Sequence, residues 1–195
     1  DNIYGTTKGQ LRHLILCDAL QPFTQVPLSI LEVGGGTGVM AAHLAEQGHR
    51  ITLTDGSKDV LELASANLAA FSNVDIQQYL QDITDIDAYD LVVCHAVLEW
   101  LDKPFDAIRF LYSNLKPGGL LSISFFNRDA ALMANAIYGN FEYIERGLKV
   151  KNQVKLNPQN ALPAKQVVEF CENSGFHILS KTGVRCFHDY MKDNS

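Results

Sequence analysis

Apolar runs four to seven residues long recur along the chain, separated by stretches with apolar residues three and four positions apart. The runs read as strands over 28–33, 50–54, 74–79, 89–95 and 119–126. The intervening periodicity predicts helices over 38–47, 57–71 and 104–115, preceded by a helix over about 8–20 with Thr7 as its cap. Strands this continuously apolar are covered on both faces, and their alternation with helices predicts an α/β fold with a doubly wound, mostly parallel sheet. After 126 the spacing becomes irregular. Residues 127–160 read as an insertion over the carboxyl edge of the sheet, followed by a helix over 164–174 and a strand over 177–187.

The first strand ends in Glu32-Val33-Gly34-Gly35-Gly36-Thr37-Gly38 and passes straight into a helix. Glycines let such a turn bring its backbone close to a ligand, and the following helix presents unpaired N–H groups. The dinucleotide fingerprint read from Gly34 requires glycine at 39, where Val39 stands. The pattern present, acid-x-G-x-G-x-G, is instead similar to that of Rossmann-like S-adenosylmethionine-dependent methyltransferases. That class closes with a sixth strand and an antiparallel seventh, set between the fifth and sixth. The chain stops soon after the sixth, so the resemblance implies a closing strand missing from it.

Ligands in open α/β sheets bind beyond the carboxyl ends of the strands. Asp55, at the end of strand 2, is placed to accept both ribose hydroxyls; helix capping, the alternative, suits Ser57 better. Leu80, Gln81 and Asp82 end strand 3, where an amide and a carboxylate can read an adenine edge, unless Asp82 caps a local turn. His95 ends strand 4 beneath the glycine turn and faces the methionine part of the cofactor, or else is a structural histidine satisfied by backbone. Trp100 reads as core.

Composition narrows the class only a little. The chain has 195 residues, 47% hydrophobic and 19% charged, which fits one globular domain. It holds no run of roughly 18 apolar residues and no signal peptide, so it reads as cytoplasmic, without a membrane partner. Cys17, Cys94, Cys171 and Cys186 form no C-x-x-C pair and read as buried thiols, with no metal expected. The net charge of −6 is uneven: residues 1–98 carry 4 Lys+Arg against 12 Asp+Glu, and residues 99–195 carry 12 against 10. Arg146, Lys149, Lys151, Lys155 and Lys165 follow one another without an intervening acid. They form either a phosphate-binding face or a solvated loop.

The segments NIYGTTKGQLR (2–12), LEVGGGTG (31–38), HAVLEWL (95–101), GNFEYI (139–144) and KTGVRCFHDY (181–190) carry a resemblance to the bacterial tRNA 5-carboxymethoxyuridine methyltransferase family. The similarity implies S-adenosylmethionine as cofactor, bound by Arg12, Gly34, Gly35, Asp55, Leu80, Gln81 and His95; Glu32 and Gly36 join them from the glycine motif, and Asp82 from strand 3. Arg12 would pair its planar fork with the methionine carboxylate. The similarity also implies a chain shortened at both ends and a tRNA anticodon region as partner, with no obligate protein partner inferred. An ionised carboxylate acceptor needs positioning and no general base. Arg185, His188 and Tyr190 are the candidates for that, Arg185 alternatively pairing with Asp189 and Tyr190 packing in the core. Lys149, Lys151 and Lys155 would hold the anticodon arm.

Overall fold

The computed structural model describes residues 6–78, 89–148 and 161–184. Five parallel strands, β1 (Ser29–Val33), β2 (Arg50–Thr54), β3 (Val74–Gln77), β4 (Tyr89–His95) and β5 (Leu115–Ser124), lie in the order β3-β2-β1-β4-β5. Seven helices accompany them: α1 (Thr7–Leu20), α2 (Val39–Glu46), α3 (Lys58–Leu68), α4 (Pro104–Ser113), α5 (Arg128–Ile137), α6 (Phe141–Glu145) and α7 (Ala164–Asn173). None of the described helices is long and apolar enough to cross a membrane.

Period-two alternation sends neighbouring strand residues to opposite faces. Ile30, Leu91 and Val93 pack with Met40, Leu44, Leu61 and Leu68 of α2 and α3. Leu31, Val92 and Cys94 pack instead with Ile108 and Leu111 of α4 and Val167 and Cys171 of α7. The sheet is therefore doubly wound, as its apolar strands require. The chain runs β1, β2, β3 to one side and returns to β4 on the other, so strand order reverses between β1 and β4. Their carboxyl ends flank the crevice that this fold uses for ligands.

Several boundaries differ from the sequence reading. Thr6, not Thr7, caps α1: its Oγ1 accepts the Gly9 N–H at 3.1 Å. β5 begins at Leu115, because Lys116-Pro117-Gly118-Gly119 bulges out of a ladder in which Tyr89 faces Leu115 and Leu91 faces Leu120. Asp90 anchors that bulge, accepting from Lys116 Nζ and from the Ser29 N–H, each at 2.8 Å.

The segment after β5 is not irregular throughout. Asn127 caps α5 by accepting the Asp129 N–H at 2.9 Å. Leu162 then pairs back, donating its N–H to Phe126 and accepting from Arg128, so the segment leaves and rejoins the fold at one point. The strand expected over 177–187 does not form in its described part, 177–184. Phe176 and Ile178 do pack on the α4 face, but nothing among the described residues stands between this segment and β5 to pair with it.

Candidate cofactor site

The glycine bend closes the carboxyl end of β1 by bonding across to β2. Gly34 and Gly35 donate their N–H groups to Thr54 O at 2.8 and 3.1 Å, and Gly36 donates to Asp55 Oδ2 at 3.0 Å. Gly34 has φ +66°, and a Cβ there would lie 2.4 Å from Val97 Cγ2, so glycine is required twice over. Gly36, at φ +58°, has nothing within 4 Å of where its side chain would be. The bend thus presents bare backbone to open space, which is the cradle a nucleoside needs.

Asp55 holds this cradle in shape. Its Oδ1 accepts the Ser57 N–H at 2.9 Å while Oδ2 holds Gly36, so one carboxylate ties the glycine bend to the start of α3. Ser57, at the α3 cap position, makes no capping bond of its own. Each Asp55 oxygen keeps a further lone pair for a ribose hydroxyl. The ribose role and the turn role that sequence reasoning weighed as alternatives are compatible.

Glu32 lies beneath the bend with 5% of its surface exposed. Burial raises its carboxyl to about 8; the Ala41 N–H in the first turn of α2 pulls it down and the Asp55 charge pushes it up. At neutral pH it is protonated, and it braces loop and helix from inside.

On the other side of the crevice, β4 ends in His95, whose Nε2 lies 2.8 Å from Ser122 Oγ on β5. Its Nδ1 is buried without a hydrogen-bond partner. Burial, reinforced by the positive charge of Arg12, lowers its pKa to about 4, so the ring is neutral. Ala96 follows at φ +58°, its N–H held by Ser124 O at 2.9 Å, a strained turn of the kind that collects at ligand sites.

The chain then enters a short 3-10 turn, Leu98–Trp100, carrying Glu99 at 5% exposure. Burial raises Glu99, while its own N–H, the Phe126 N–H and the Arg12 charge oppose the rise. Arg12 of α1 therefore acts electrostatically on both His95 and Glu99, and α1 brings it to the strand-reversal point. Sequence reasoning passed over Glu99 and Ser122, although an acid inside the apolar run VLEWL was a visible signal. It also took Trp100 as core, whereas Trp100 is 44% exposed and Leu98 fills the core beside it.

Arg12, Glu32, Gly34, Gly35, Gly36, Asp55 and His95 thus converge around one crevice. Leu80, Gln81 and Asp82, the acceptor candidates Arg185, His188 and Tyr190, and the basic Lys149, Lys151 and Lys155 lie outside the described residues.

The comparisons agree with this geometry. A family model described as a methyltransferase domain matches residues 31–121. Among solved structures, a putative methyltransferase from Bacillus halodurans superposes with a TM-score of 0.63 at 18% identity, over 82% of this chain and 68% of that one. A SAM-dependent methyltransferase from Aquifex aeolicus does so with a TM-score of 0.59 at 14% identity, over 84% and 80%.

The fold and the match define a Rossmann-like methyltransferase dependent on S-adenosylmethionine, and the bare-backbone cradle at Gly36 and the unpaired buried Nδ1 of His95 fit that cofactor. The chain is also 36% identical to the malonyl-[acyl-carrier protein] O-methyltransferase of Halalkalibacterium halodurans, over 80% of its own length and 52% of that protein. With the tRNA 5-carboxymethoxyuridine methyltransferase of Escherichia coli K12 it shares 39% identity over 98% of its length and 77% of the relative's. The chain belongs to the tRNA 5-carboxymethoxyuridine methyltransferase family.

Proposed function

We propose that this enzyme methyl-esterifies the carboxylate of 5-carboxymethoxyuridine at the wobble position of tRNA. Transfer is supported by the glycine bend, lashed to Asp55 opposite a neutral His95 at the point where strand order reverses. The acceptor follows from membership of the family. S-adenosylmethionine, when bound, supplies an electrophilic methyl group that an ionised carboxylate can take directly.

The protein's own part is then binding and alignment. Arg12 pairs with the methionine carboxylate, and Asp55 accepts the ribose hydroxyls while it continues to hold the bend. The bend itself, through Gly34, Gly35 and Gly36, lets the cofactor approach the backbone, over the Glu32 brace. Leu80, Gln81 and Asp82 read the adenine edge. His95, deprotonated above about pH 4, offers a neutral ring that adds no charge beside a cationic ligand. A carboxylate acceptor with a pKa near 4 has no proton to remove at pH 7. Catalysis therefore consists of holding it within about 3 Å of the methyl and excluding water. Arg185, His188 and Tyr190 do the holding, and Lys149, Lys151 and Lys155, in the 127–160 insertion, grip the anticodon arm.

The test is mass spectrometry of nucleosides from tRNA lacking the ester, after incubation with enzyme and cofactor. A methyl ester on 5-carboxymethoxyuridine is expected, and unchanged tRNA overturns the acceptor. Arg185→Ala should lower transfer while cofactor affinity stays nearly constant; equal loss of both would contradict its role. The similarity to the malonyl-carrier enzyme favours a small-acid acceptor as the second reading. Charge reversal across Arg146–Lys165 separates the two: it should abolish tRNA activity and leave a free acid untouched.

A further inference from the structure

Away from the cofactor crevice, His13 and Cys17 stand one turn apart on α1, and His43 faces them from the last turn of α2. Two imidazoles and a thiol thus meet where two helices cross. Each offers one ligand atom, and the three atoms lie within 4.8 Å of one another. Cys17 Sγ is 3.5 Å from His13 Nε2, and the rings of His13 and His43 meet edge to face with centroids 5.8 Å apart.

We infer that His13, Cys17 and His43 form a zinc site that fastens α1 to α2. Tetrahedral zinc with bonds of about 2.3 Å to sulfur and about 2.0–2.1 Å to nitrogen has a sulfur–nitrogen edge of about 3.6 Å. The Cys17–His13 pair already matches this edge, and a small turn of an imidazole closes the remainder. A two-histidine, one-thiolate set suits a borderline-soft ion and is foreign to magnesium or calcium, which take oxygen ligands. The Gln47 carboxamide, 3.0 Å from His43 Nε2, stands as the outer partner a ligating imidazole keeps. The three residues leave a fourth position for water.

All three groups are neutral in the metal-free protein. Burial pushes the Cys17 thiol up to about 11, and burial together with the His43 and Arg12 charges lowers His13. On coordination each imidazole donates a lone pair with no proton change, and Cys17 gives up its thiol proton, so one proton leaves per ion bound. The helix has reason to be fastened: α1 buries only Gly9 and Leu20 fully, yet it carries Arg12 next to His13. No C-x-x-C pair signals the site in sequence, because the third ligand arrives from another helix.

The experiment titrates metal-stripped protein with cobalt(II), as a spectroscopic stand-in, and then with zinc. One equivalent should bind, with a thiolate-to-cobalt charge-transfer band, release of one proton and a raised melting temperature. Cys17→Ser should abolish the band, and His43→Gln should weaken zinc binding at least about tenfold. Both variants should keep the wild-type circular dichroism, and either one suffices if the other fails to fold. Absence of stoichiometric binding would overturn the site and leave Cys17 and His13 as a hydrogen-bonded pair. Binding that neither substitution alters would overturn it equally.

Discussion

Glu32 turns burial into a measurable dependence on pH. Its folded carboxyl titrates near 8 and an unfolded one near 4.5, so between these values the folded state holds a proton that the unfolded state has released. Stability from this group is fully present below pH 4.5 and is lost as pH rises toward 8. His95 acts in the opposite sense. Its folded pKa is lowered from 6.5 to about 4, so its contribution is present above 6.5 and disappears as pH falls. The two oppose each other between 4.5 and 6.5, and above 6.5 the Glu32 effect is no longer masked by His95. Chemical denaturation from pH 6.5 to 8 should show stability falling, by a few kcal/mol at most. Glu32→Gln, which can still accept the Ala41 N–H, should flatten the fall. A slope that the substitution leaves unchanged would mean that Glu32 is ionised in the fold. The acid was legible in sequence as part of the glycine motif, but its protonation was not, since that depends on the helix and on Asp55 closing over it.

Helix α1 shows what an element owes to its ends. Fourteen residues bury little, so the helix relies on the Thr6 cap more than a core helix would. Thr6→Ala should cost about 1 kcal/mol in denaturant unfolding, and Thr6→Ser should restore it. Because α1 carries Arg12, cofactor affinity by calorimetry should fall with the cap, while the strands, judged by amide exchange, stay protected. Elements fixed by burial were readable in advance: β1, β2 and β4 are continuous apolar runs and were placed within a residue. α5 was not, because Leu132, Met133 and Ile137 point outward and only Ala131 is buried, so its periodicity signalled no core face. The expected sixth strand failed for the complementary reason. Phe176 and Ile178 alternate correctly, but a strand also needs a neighbour to bond with, and alternation says nothing about the neighbour.

Across the molecule, topology and charge divide the labour. Reversal of strand order between β1 and β4 gathers Arg12, Asp55 and His95 from three distant stretches, which explains why strand ends located the crevice in sequence while side-chain contacts such as Glu99 with Phe126 escaped notice. The acidic half of the chain, 12 carboxylates against 4 cations, builds most of the cofactor side and would repel a polyanion, whereas the cations crowd into the second half. If tRNA meets the enzyme through Lys149, Lys151 and Lys155, binding draws on counterion release, and affinity falls steeply with salt. Replacing all three lysines by glutamine should weaken tRNA binding and make the slope of log affinity against log salt shallower by about 2, at 0.7 to 0.9 per phosphate contact. Cofactor affinity should not change, because the crevice at the carboxyl ends of β1 and β4 is formed by other residues. Filter binding at several salt concentrations gives the slope, and a variant with the wild-type slope would place the RNA on another face of the protein.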